Sequence, residues 1–114
     1  MAIPNKSYQP VQSLTVNAAE DIPAFRFVSH LGTLCAAESR SLGVSDSDWL
    51  TGENASVITL GTAAVETSTS VNLGDDVTSD ASGKAKTASG EMPVNGRALD
   101  QATGPGYIRI KLVP

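Results

Sequence analysis

The clearest alternation of apolar and polar residues falls in two stretches of similar wording. Thr51-Gly52-Glu53-Asn54 leads into Ala55–Leu60, and Thr103-Gly104-Pro105-Gly106 leads into Tyr107–Val113. Both then alternate with period two and use β-branched residues, the pattern of a strand with one buried face. Thr51–Leu60 lies over Thr103–Leu112 at a constant offset of 52. Working back, Gly43 falls near Gly96, Gly32 near Gly83, and Val28-Ser29 over Val77-Thr78. The second half thus reads as a diverged copy of the first. A repeat of this length is a whole supersecondary unit, and two copies are too few for a solenoid. The expectation is two tandem β repeats, about residues 13–62 and 63–114, folding on one another into one small barrel or sandwich. Val57, Leu60, Ile110 and Leu112 would fill related core positions.

Other candidate strands are Ser13–Val16, Phe25–Ser29, Thr33–Ala36, Ala63–Thr67, Lys84–Thr87 and Val94–Leu99. Turn signals separate them: Gly32, Gly43, Gly74-Asp75-Asp76 and Asp80-Ala81-Ser82-Gly83. Short strands at this spacing indicate an all-β closed or sandwiched fold. Helix is scarce. Val44–Leu50 could form one turn capped by Ser45 or Asp46.

Residues 1–12 differ from the rest, with Pro4, Pro10, one basic residue and no acid. Two prolines deny the segment a helix or a central strand, so an extended N-terminal arm is expected ahead of a β domain over 13–114. Ile3, Tyr8 and Val11 are apolar enough to anchor it.

Composition narrows the function by exclusion. At 114 residues the chain fits one domain with a core of its own. Eight basic and twelve acidic residues give a net charge of −4, and the basic ones are scattered. Nucleic-acid binding needs a concentrated positive field, so no nucleic-acid partner is expected. No apolar run approaches the ~20 residues of a membrane span, and the N-terminal residues do not resemble a signal peptide. One cysteine, Cys35, and one histidine, His30, cannot make a zinc site. Cys35, between Leu34 and Ala36, reads as a small buried hydrophobe. Asp46, Asp48 and Glu53, and again Asp75, Asp76 and Asp80, lack calcium-loop spacing and read as solvated turn acids. Ser29 and His30 are neighbours in a candidate strand, where their side chains point to opposite faces, so they cannot act as nucleophile and base. Neither a catalytic residue nor a cofactor is expected. Trp49 stands out: it precedes Thr51-Gly52, while the second copy carries Gln101. It either caps one end of the barrel or serves as a contact or lid, since tryptophan is an enriched interface anchor.

The second copy also resembles a known family. Leu73-Gly74-Asp75-Asp76-Val77-Thr78-Ser79-Asp80-Ala81-Ser82-Gly83-Lys84-Ala85 is similar to a signature of tailed-bacteriophage capsid cement, or decoration, proteins. Pro93-Val94-Asn95-Gly96-Arg97-Ala98-Leu99 resembles a later segment of that family, departing from it at Asn95, where an apolar residue is usual. Gly106–Leu112 resembles its closing strand. The resemblance implies a β-tulip-like barrel and a structural virion protein on the outer surface of the expanded capsid, made in the host cytoplasm. Its partners would be the major capsid protein and itself, as a homotrimer bridging neighbouring capsid subunits. Candidate contact residues are Ile3, Pro4, Tyr8, Pro10, Val11 and Trp49. The competing readings are a carbohydrate- or host-surface-binding β module, which should expose aromatics on one face, and a small β-barrel enzyme, which should show a convergent polar cluster.

Overall fold

The computed structural model describes residues 7–113. It is all-β, with eight strands: β1 (Pro10–Asn17), β2 (Phe27–Val28), β3 (Gly43–Ser45), β4 (Asn54–Thr67), β5 (Asp76–Ser79), β6 (Ala85–Thr87), β7 (Gly96–Ala98) and β8 (Gly106–Leu112). In the second half the order β4-β6-β5-β7-β8 returns to β4 through a β4–β8 pairing, which closes a five-stranded barrel. In the first half β2, β3 and β1 gather on the opening part of β4. The fourteen residues of β4 therefore belong to both halves.

Strand β4 replaces the two strands expected at Ala55–Leu60 and Ala63–Thr67. Straight, it would run about 43 Å at roughly 3.3 Å per residue. That exceeds the 35 Å extent of the fold along its longest principal axis. Regular strand geometry is interrupted at Gly61, whose φ of 99° is open to glycine but rare for other residues. A Cβ there would also lie 2.5 Å from the Gln9 carbonyl oxygen and 2.8 Å from the Val11 nitrogen.

The duplication is written in the register of the strands. Adding 49 to first-half residues from Ser13 to Val28, and 53 to those from Gly32 on, turns first-half pairings into second-half pairings. Phe27↔Val44 becomes Asp76↔Arg97, and Ser45↔Val57 becomes Ala98↔Ile110. Leu14↔Val57 becomes Ala63↔Ile110, and the Ile22↔Trp49 bridge becomes Val71↔Ala102. Turn bonds follow as well: Phe25 N to Ser45 O, 2.8 Å, matches Gly74 N to Ala98 O, 2.9 Å. The bond that closes the first ring, Ala19 N to Gly32 O at 2.9 Å, matches Ser68 N to Ala85 O at 3.0 Å.

Several expectations are corrected here. The offset of 52 between the two alternating stretches is one residue out of register, because it aligns the flanking Thr-Gly and Leu. Strand register follows burial instead: at 53, buried Ala55 and Val57 lie over buried Ile108 and Ile110, whereas Leu60 is 39 % exposed and is no core residue. The expected small barrel is the closed five-stranded barrel around β4, on which the first-half strands add a ring of pairings of their own. Val44–Leu50 forms no helical turn. Val44 and Ser45 are in β3, and Trp49 pairs with Ile22 in both directions at 2.8 Å. Thr33–Ala36 is reduced to a single bridge, Val28↔Leu34, while β5 was not expected. The arm does not extend to residue 12, since Pro10–Asn17 is an edge strand on β4. Proline is tolerated at the first position of such a strand.

The first ring encloses a small apolar cluster of Ala18, Ile22, Val28, Ala55 and Val57, flanked by Trp49. The barrel encloses a larger one, including Val65, Val71, Val77, Ile108 and Ile110, and the outward face of the first ring joins it through Phe27, Cys35, Val44 and Ile58. A polar seam ties the halves together. The buried Asn95 side chain accepts from Ser41 N at 3.0 Å and donates to Ser39 O at 2.9 Å. Ser79 Oγ donates to Ala36 O at 2.6 Å. Asn95 departs from the cement-protein pattern because it serves this seam.

Candidate functional site

The sequence-derived contact residues separate in space. Ile3 and Pro4 lie outside the described residues. Tyr8 turns inward: it packs with Ala24, Phe25 and Ala64 at the join of the two halves. Burial, then the nearby Asp46 carboxylate, holds its hydroxyl above the usual tyrosine range. Gln9 N donates to Thr62 Oγ1 at 2.6 Å, and Thr62 N returns a bond to Gln9 O at 3.1 Å. The segment before β1 is thus fastened to the chain's own second half. Trp49 lies half-buried against the first-ring cluster, and its Nε1 is buried with no acceptor. Its counterpart by register is Ala102, not Gln101.

Pro10 and Val11 stay outside. Strand β1 pairs with β4 alone, contains no charged residue and is solvent-facing along most of its length, with Val11 71 % and Leu14 44 % exposed. Edge strands are usually blunted by charge; here only Pro10 and a register irregularity at Val11 do so. Between β1 and the β4–β8 junction lies an almost wholly apolar hollow of about 440 Å³, lined by Val11, Leu60, Gly61, Thr62, Lys111 and Leu112.

A second hollow, of about 360 Å³, lies where the halves meet. Its walls include the equivalent segments Arg40-Ser41-Leu42 and Pro93-Val94-Asn95, with His30, Thr59 and Val113. Among the described residues, no acid lines either hollow. Among the described basic residues, Arg26, Lys84, Lys86, Arg97 and Arg109 are ion-paired with acids, while Arg40 and Lys111 are not. Neither hollow was visible in the sequence. Val11 was the one residue that pointed to them, and the unpaired basic residues could have been found only from the fold.

Several described side chains that could carry chemistry are engaged elsewhere. Ser29 Oγ is engaged with Thr33 Oγ1 at 2.8 Å rather than with His30. The turn acids accept bonds from nearby backbone: Asp48 from Ala24 N, Glu53 from Leu50 N, and Asp80 from Ser82 N and Lys84 N. Bonds from the Thr51 amide and hydroxyl hold the exposed Asp21 carboxyl below its usual range. Cys35 is buried, and desolvation pushes its thiol up, a state that disfavours the reactive thiolate. No group of three His, Cys, Asp or Glu among the described residues could hold a metal.

The fold defines a small β-barrel scaffold with two hollows on its surface. The sequence matches the phage cement protein family over residues 6–112, and the chain belongs to that family. It is a structural, capsid-associated component of the virion. The fold is similar to the N base of the head fibre gp8.5 of bacteriophage phi29, with a TM-score of 0.75 and 19 % identity over 90 % of this chain and 93 % of that one. No curated protein sequence matches it.

Proposed function

We propose that this protein binds the outer surface of the expanded capsid as a homotrimer and stabilises the shell by bridging neighbouring major capsid subunits. The observation that carries this reading is the family match over residues 6–112. The use of a similar fold as the N base of a phage head fibre supports attachment to a head. The physical logic is additive. A body of 35 × 32 × 23 Å offers little contact area alone, but three linked copies gain avidity of about 10²–10⁴ over one. Binding the expanded shell in preference to other states then stabilises it by mass action. The protein acts by binding and carries out no catalysis, nucleic-acid contact or membrane contact of its own. Ile3 and Pro4 remain capsid-contact candidates, tested by deleting residues 1–6.

The test uses heads assembled without this chain. Adding purified protein should decorate them on the outside and raise the temperature at which they release DNA, and sedimentation should give a trimer. Decoration absent at saturating protein, or density inside the shell, would refute the reading.

A further inference from the structure

The two hollows lie on either side of one place. Consecutive residues of β4, Thr59 and Leu60, and consecutive residues at the end of β8, Leu112 and Val113, each give one residue to each hollow. A peptide crossing this junction meets an apolar wall of Val11 and Leu60 on one side. On the other it meets Arg40 and His30, with Ser41 and Thr59 as hydrogen-bonding groups. In a chain of net charge −4, this region has no lining acid among the described residues and holds the two described Lys and Arg residues without an ion-paired acid, Arg40 and Lys111. Charge complementarity therefore selects an acidic partner. The uncharged edge of β1 beside the apolar hollow selects one that is extended and has an apolar side chain.

We propose that this junction receives an extended segment of a capsid subunit that carries an apolar side chain close to a carboxylate. The apolar group occupies the Val11–Leu60 hollow, and the carboxylate pairs with Arg40, whose guanidinium can grip it through two parallel N–H···O bonds. This assignment rests on the capsid-binding reading above and adds the surface and the chemistry of the segment that it takes.

The experiment measures binding of the full chain to heads lacking it, by co-sedimentation at several salt concentrations. The variants are Arg40→Glu, Leu60→Ser and Val11→Ser. Lys84→Glu is the control, because it makes the same charge change on the hairpin of β5 and β6. All four positions are at least partly exposed, and melting curves check that each variant folds. The expected result is about tenfold or greater loss of affinity for Arg40→Glu, with a weaker salt dependence. Leu60→Ser and Val11→Ser should lose about five- to tenfold with the salt dependence unchanged, and Lys84→Glu should bind like wild type. Wild-type binding matched by Arg40→Glu and Leu60→Ser overturns the surface assignment and leaves the capsid-binding reading intact. Equal loss in Lys84→Glu and Arg40→Glu also overturns it, since the effect would then come from overall charge. Failure of the wild type to bind overturns the capsid-binding reading and the assignment with it.

Discussion

The two halves share one set of strand pairings but differ in how many faces they bury. In the second half the strands carry their apolar residues inward and their charges outward: Val77, Ala98 and Ile110 are buried, while Asp76, Arg97 and Lys111 face solvent. In the first half the positions matching those three charges are Phe27, Val44 and Ile58, all at 0–1 % exposure. The first ring is thus buried on both faces, one around its own small cluster and one against the barrel. The halves are equivalent in strand pairing, and three outward positions distinguish the one that packs against the other.

The strongest way to break this asymmetry is to import the second half's residue into the first. Phe27→Asp should destabilise the protein by about 4 kcal/mol or more, since it removes a large buried side chain and leaves a carboxylate in the core. Chemical denaturation would show this, and a midpoint unchanged from wild type would mean that the halves do not lean on that face.

The paired glycines come next. A Cβ on Gly43 would sit 2.1 Å from the Ile58 carbonyl oxygen, whereas on Gly96 its nearest neighbour is the Ile110 Cδ1 at 2.8 Å. Backbone cannot yield cheaply, but a side-chain tip can. Gly43→Ala should cost about 3 kcal/mol and Gly96→Ala about 1 kcal/mol, measured by the same denaturation. Equal values would show that the first ring is the looser of the two.

Asn95 occupies the position of Leu42, so Asn95→Leu makes the halves more alike. It removes the partners of Ser41 N and Ser39 O and should cost about 2 kcal/mol in thermal unfolding. A gain in stability would show that the seam is dispensable.

These differences mark what could be read from the sequence. The strands over Ala55–Leu60 and Tyr107–Val113 were legible because alternation and β-branching agree there. The repeat was legible for the same reason, but a one-residue slip was not, because identity at Thr-Gly competes with burial that no alignment of two stretches displays. Gly61 looks like a break between strands, and only packing turns it into an interruption within one. Strand β5 was hidden because Asp76-Val77-Thr78-Ser79 lies between two turn-like runs and owes its strand to partners on both sides. The proposed contact surface was least legible. Val11, Leu60, Arg40 and Lys111 are distant in sequence, and nothing local marks Arg40 and Lys111 as lacking ion-pair partners.

Smaller effects sharpen the picture. Cys35 belongs to the doubly buried face, and its raised thiol pKa fixes the sign of a pH effect. The unfolded thiol ionises near pH 8.5 while the folded one stays protonated, so stability falls as pH rises past that value and continues to fall up to the folded pKa. This negative slope should be absent in Cys35→Ala. Smallest is Arg97→Val, which copies Val44 onto the outer face of the barrel. It breaks an exposed ion pair with Asp76 and should shift stability by about 0.5 kcal/mol or less.

Because β4 runs unbroken through both halves, the molecule has no hinge between them. A pull on the first ring is carried along one continuous backbone into the barrel and resisted by many hydrogen bonds loaded in shear, rather than by a seam that peels open bond by bond. In the proposed role across a shell under internal pressure, this would make the body a tension member. Strain should appear first at its attachment points, while the protein itself stays rigid.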